Sequence, residues 1–196
     1  MEAIYLGVLG PSASRLGQLW EEDLCDFTEV TIGMGRLHQI LRELGPQFRS
    51  EIECGKECVN LGRRALLMPT SSEQHTFGLQ MVADFFARGG WDVWGADTPE
   101  AGDLMRLVRE EWFDLVGLNV GCVRRLELLA SDIRTIRATS LNPSVCVMVG
   151  GPAMVLHPEL MEVLGADGMA VDGRQALREA ERLVGRAGMG NEGNAA

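Results

Sequence analysis

The chain has 196 residues, 46% hydrophobic and 23% charged, a composition that supports one core-forming domain with a modest appendage. Its 18 Lys and Arg are outnumbered by 28 Asp and Glu, and the net charge of −10 argues against direct nucleic-acid binding, which needs clustered cations on phosphates. No apolar run approaches a membrane span and the opening MEAIYLGVLG has no basic leader region, so a soluble, cytoplasmic protein is expected.

Residues 1–62 read as a helical region. LGQLWEEDLCDF and GRLHQILREL space apolar residues at helical intervals, while the intervening TEVTIGMG is β-branched and then glycine-rich, which predicts a break there. The five cysteines (Cys25, Cys54, Cys58, Cys122 and Cys146) are odd in number and loosely spaced, which suits free thiols rather than a disulfide scaffold. Cys54 and Cys58 lie one helical turn apart. A shared metal and two small hydrophobes both fit them, and no further Cys or His pair completes a zinc site.

From Arg63 the rhythm changes to apolar runs alternating with amphipathic helices. RALLMPT, WDVWGA, DLVGLNVG, VCVMVGGP and DGMAVDG read as five strands. FGLQMVADFFARGG, TPEAGDLMRLVREEW, RRLELLASDIRTIRATS, PELMEVLG and RQALREAERLVGRAG read as five helices, the second opening on Thr98 as N-cap and Pro99 in its first turn. Strands without polar alternation are buried on both faces, as in parallel sheets. The βα repetition therefore predicts a flavodoxin-like, Rossmann-like doubly wound five-stranded parallel sheet over residues 63–187. The tail from 188 to 196 reads as disordered.

In such a sheet ligands bind beyond the carboxyl ends of the strands. That rim holds SSEQHTFG after the first strand, LNVGC after the third, GGP after the fourth and DG after the fifth. Known chemistries fail there. A phosphoacceptor receiver needs an aspartate ending the third strand and a lysine after the fifth, but Asn119 stands at the first position and Lys56 is the chain's single lysine. The G-x-G at Gly33 and Gly35 lies in the helical region and lacks the third glycine of a dinucleotide fingerprint. No P-loop or G-x-S-x-G elbow occurs. His75 remains, with Glu73 two residues earlier. The pair fits metal ligation, with the carboxylate setting the imidazole tautomer. It fits equally a solvated histidine at a helix start.

The ordered set Glu73-x-His75-Thr76-Phe77-Gly78, Asn119 to Gly121, and Gly150-Gly151 resembles the D-x-H-x-x-G, S-x-L and G-G signature of cobalamin-binding domains in methionine synthase, corrinoid methyl carriers and CarH-type repressors. The resemblance covers about two thirds of the chain. It implies that His75 displaces the cofactor's own base and ligates cobalt from below, with Glu73 behind it. Thr76, Phe77, Gly78, Asn119, Gly121, Gly150, Gly151 and Asp172 would then line the tail pocket. Here Glu73 replaces the family's aspartate, and Asn119-Val120-Gly121 replaces the serine motif. The N-terminal region resembles a short version of the family's helical cap. Trp20 matches the tryptophan that shields the upper ligand, but Val30 and Thr31 stand where a Glu-His pair is expected, with Glu29 one place off. His38 fits either a helical surface position or an upper ligand.

CDFTEVTIGMGRLHQILREL and EQHTFGLQMVADFFARGGWDVW are similar to AerR/PpaA-type regulators of purple photosynthetic bacteria. These are free-standing cobalamin proteins without a DNA-binding domain. The resemblance implies a non-enzymatic antirepressor, with light as a candidate signal, that binds hydroxo- or adenosylcobalamin and a PpsR/CrtJ-type repressor. A corrinoid methyl-carrier subunit, a haem-binding sensor on the same histidine, and a cofactor-free interaction domain are the alternatives.

Overall fold

The computed structural model describes residues 1–51, 62–70, 76–95, 104–123 and 126–192. The chain divides into two compact units, Met1–Cys58 and Val59–Ala196.

The first unit is helical. Helix α1 (Glu2–Ile4) runs through a π-helical stretch, Tyr5–Leu9, into α2 (Gly10–Glu21), and α3 spans Phe27–Ser50. The predicted break at TEVTIGMG does not occur: α3 is continuous through Gly33 and Gly35. The break falls instead between α2 and α3, where two local devices set it. Leu24 N–H bonds the Leu19 carbonyl at 2.8 Å and Asp23 N–H bonds that of Trp20 at 3.0 Å, a Schellman closure with Asp23 left-handed at φ 55°. Asp26 then caps α3: its carboxylate accepts from Glu29 N–H at 2.8 Å, and the Glu29 carboxylate accepts from Asp26 N–H at 3.0 Å. Gly33 is there for proximity, since a Cβ would sit 2.9 Å from Leu16 Cδ1 on α2. The Tyr5 and Phe48 rings stack 4.0 Å apart, both fully buried.

The second unit is the predicted parallel sheet. In chain order it runs β1 (Arg64–Pro69), α4 (Phe77–Arg88), β2 (Asp92–Trp94), α5 (Leu104–Glu110), β3 (Leu115–Asn119), α6 (Leu126–Thr139), β4 (Cys146–Gly150), α7 (Pro152–Leu156), α8 (Leu160–Leu164), β5 (Gly168–Ala170) and α9 (Gly173–Glu192). Helix α7 is additional to the predicted series. Thr98 and Pro99 lie outside the described residues, as do Cys54 and Cys58. The tail read as disordered is helical in backbone as far as Glu192.

All strand pairings are parallel, in the order β2-β1-β3-β4-β5. Side-chain alternation sorts each strand between two cores. Leu66, Met68, Val116, Leu118, Val147 and Val149 pack with Val108, Ile133, Ile136 and Leu164 from α5, α6 and α8. Ala65, Leu67, Leu115 and Met148 pack with Leu79 and Phe86 of α4 and Ala176 and Ala180 of α9. Each fully buried leucine or isoleucine in these layers contributes roughly 1.5–3 kcal/mol.

Two aspartates lock the amino-terminal edge of the sheet. Asp114 accepts from Arg64 N–H at 2.8 Å, and Asp167 accepts from Val147 N–H at 2.7 Å, tying β1 to β3 and β4 to β5. The Arg64 guanidinium lies 4.6 Å from the Trp94 ring centre and pairs with Glu111 at 3.1 Å.

Candidate functional site at the carboxyl edge

The strand register levels that edge. Pro69 pairs with Asn119, Asn119 with Gly150, and Gly150 with Ala170, so four strand ends stand in one row. Backbone bonds continue one step further, from Thr70 N–H to the Asn119 carbonyl at 3.1 Å and from Val120 N–H to the Gly150 carbonyl at 2.7 Å. Strand β1 leads outward to β2, and β3 leads the opposite way to β4, so the chain diverges above the β1–β3 junction. A parallel sheet opens a ligand crevice at such a switch point.

Of the predicted site residues, Asn119, Gly150 and Gly151 come together. Gly151 has φ 101° and ψ 175°, a region nearly closed to other residues, and a Cβ on it would lie 2.5 Å from Asn119 Oδ1 and 2.8 Å from the Val120 carbonyl oxygen. Its bare backbone is what lets the end of β4 close against the end of β3. Gly121 follows, half-buried, and Cys122 beside it is exposed.

At the first loop's far end, Thr76 is the N-cap of α4 and its hydroxyl makes no cap hydrogen bond. The Phe77 side chain is buried at 3% exposure, so it is a core anchor and leaves only its backbone to the rim. Gly78 is exposed, and a Cβ there would meet nothing among the described residues. Glu73 and His75 lie outside the described residues.

Asp172, two residues past β5, caps α9 by accepting from Gln175 N–H at 2.8 Å, while Gln175 Oε1 accepts from Val171 N–H at 3.0 Å. Sequence reading missed Gln175. The D-x-x-Q spacing is the signal that would have found it.

In the helical unit Trp20 is 44% exposed rather than core, and its ring meets Phe27 edge-on at 5.8 Å. Glu29 is committed to capping α3. His38 is half-buried midway along α3.

The second unit is thus an open-sheet ligand-binding domain whose rim is built from glycine backbone and one amide side chain. No group of three or more metal-ligating side chains occurs among the described residues. The close packing of Gly151 against Asn119 and Val120 leaves bare backbone at the ends of β3 and β4.

Comparison with known proteins agrees. The family model described as B12 binding domain matches residues 63–181, and the chain belongs to that family. A Rhodobacter capsulatus protein, an uncharacterized 20.5 kDa protein in the bchF-crtJ intergenic region, is 31% identical over 158 residues, covering 80% of each chain. Among solved structures, the monomethylamine corrinoid protein of Methanosarcina barkeri shares the fold with a TM-score of 0.70 at 16% identity, over 93% of this chain and 87% of its own. A cobalamin-binding protein from Desulfitobacterium hafniense gives 0.51 at 16% identity, over 87% and 77%. No helix among the described residues is long and apolar enough to cross a membrane.

Proposed function

We propose that the protein is a cytoplasmic, non-enzymatic cobalamin-dependent regulator that acts as an antirepressor by binding a PpsR/CrtJ-type repressor. The B12 binding domain over residues 63–181 carries the cofactor half of this reading. The regulatory half is supported by the relative encoded between bchF and crtJ, which agrees with the AerR/PpaA resemblance of the sequence. The chain's charge of −10 suits a protein partner better than DNA.

In this reading His75 would ligate the cobalt and Glu73 would orient its imidazole. Asn119, Gly121, Gly150 and Gly151 admit the nucleotide tail through the crevice, and Thr76 and Gly78 offer backbone and hydroxyl contacts at the start of α4. Hydroxo- and adenosylcobalamin are the forms expected, and an alkyl–cobalt bond supplies light sensitivity when that form is bound. The residues themselves exclude water, hold the ring and position the imidazole. A change in cofactor state would shift repressor binding only by the difference in affinity between the two protein states.

The test is absorbance after mixing apo-protein with hydroxocobalamin and desalting. Wild type retains a red-shifted, histidine-ligated spectrum, and His75→Ala loses it. An unchanged mutant spectrum refutes the ligand assignment, and no retention by wild type refutes the cofactor. Loaded and apo-protein are then titrated into a repressor–operator complex, and release of operator by neither refutes the antirepressor role.

A further inference from the structure

A second cavity, of about 410 Å³, opens at the opposite edge of the sheet. Its walls come from the end of α6, the turn entering β4 and the middle of α9. They carry three cations, Arg137, Arg182 and Arg186, against the carboxylate of Asp167 in the wall and that of Glu179 paired to Arg182 beside it. This inverts the balance of a chain whose acidic residues outnumber basic ones 28 to 18.

The carboxylates at the cavity are committed to the fold. Asp167 gives one oxygen to Val147 N–H at 2.7 Å and the other to Arg137 Nη2 at 2.9 Å. Arg137 Nη2 also donates to the Gly165 carbonyl at 2.9 Å. Glu179 accepts from Arg182 Nε at 2.8 Å and Nη2 at 2.6 Å. These bonds hold two guanidinium planes in place while sparing Nη1 on each. Arg186 is exposed and near enough to Glu179 to help hold its carboxyl down, with no hydrogen bond to it described. Pinned guanidinium groups with spare N–H donors are the geometry that recognises a tetrahedral oxyanion. Pro143, Val145 and Leu183 add an apolar wall, and the cavity falls in the size range of small-ligand sites.

We propose that this cavity is an anion site for a phosphoryl group, separate from the cofactor rim and held by Arg137, Arg182 and Arg186. The phosphoryl group comes either from free phosphate or from a nucleotide, whose base would use the Val145–Leu183 wall.

Isothermal titration of the full chain with inorganic phosphate and with ADP, at constant ionic strength, tests it. Wild type binds at least one of them, and Arg186→Gln weakens that binding about tenfold, the loss of one charge-assisted contact. Arg186 is exposed and makes none of the bonds described above that hold the fold, so the variant keeps its thermal midpoint in ligand-free buffer. ADP binding tenfold or more tighter than phosphate identifies a nucleotide site. Comparable affinities identify a phosphate site. Heat from neither ligand, or equal binding by wild type and Arg186→Gln, overturns the proposal.

Discussion

Substituting Gly151 by alanine tests whether the rim depends on bare backbone. At φ 101° and ψ 175° the residue lies in conformational space that costs a side chain about 1–3 kcal/mol. The new Cβ would also stand 2.5 Å from Asn119 Oδ1, 2.8 Å from the Val120 carbonyl oxygen and 3.0 Å from the Val120 nitrogen. The Val120 peptide is held in place, because its N–H donates to the Gly150 carbonyl at 2.7 Å and its carbonyl accepts from Ala153 N–H at 3.1 Å. Forcing that peptide aside adds about 1–3 kcal/mol, for a total loss of about 2–6 kcal/mol.

Gly150→Ala is the control. Its Cβ would sit 3.1 Å from the Ala170 carbonyl oxygen without a left-handed φ. The expected change is within about 1 kcal/mol, since alanine also lowers the freedom of the unfolded chain. Urea unfolding followed by fluorescence in a Trp20→Phe background, which leaves Trp91, Trp94 and Trp112 in the second unit, reads the two variants at constant slope. A loss below about 1 kcal/mol in Gly151→Ala, or one equal to that of Gly150→Ala, refutes the reasoning.

Asp172 separates structural from cofactor roles. Asp172→Ala removes the α9 cap and costs about 1 kcal/mol, whereas Asp172→Asn keeps the cap. Reduced cobalamin retention in the asparagine variant at unchanged stability would show that the carboxylate also meets the cofactor. Glu179 gives a pH signature. Its hydrogen bonds from Arg182 hold the carboxyl below the usual range. The stability this contributes is present above the unfolded carboxylate value and is lost as pH falls through the folded one. Urea midpoints at pH 7 and pH 3 should therefore show Glu179→Gln weaker than wild type at the higher pH and closer to it at the lower. A gap that widens on acidification contradicts the assignment.

The parts of the fold legible in the sequence were those governed by local pattern. Five apolar runs became five strands because a parallel sheet covered on both faces needs no polar alternation, and Ala65–Met68 and Val147–Val149 are buried accordingly. The glycines of α3 were misread because a glycine alone does not say why it is there. Gly33 serves close approach to Leu16, and the true interruption was written in the Asp26–Glu29 capping pair. The site was legible as a set of residue types at ordered positions, while its geometry was not. The left-handed backbone of Gly151 and its closeness to Asn119 follow from the register of β3 on β4, which pairs residues 31 positions apart. The arginine cavity was invisible for the same reason: Arg137, Arg182 and Arg186 meet only when α6 and α9 converge at the entrance to β4.

The two edges of the sheet are built on opposite rules, and this bears on function. At the amino-terminal edge, Asp114 and Asp167 close the backbone with side-chain oxygens. At the carboxyl edge backbone bonds join the ends of β1, β3 and β4 through Thr70, Val120 and Ala153, and Gly151 stands where a Cβ would intrude. This leaves bare backbone at Gly150 and Gly151, while Asp172 beyond β5 is taken up in capping α9. In the proposed reading a large cofactor would lie against this backbone, and His75 would be the side chain that ligates its metal. Removing that side chain should abolish ligation while leaving the sheet intact, whereas disturbing Gly151 should damage both.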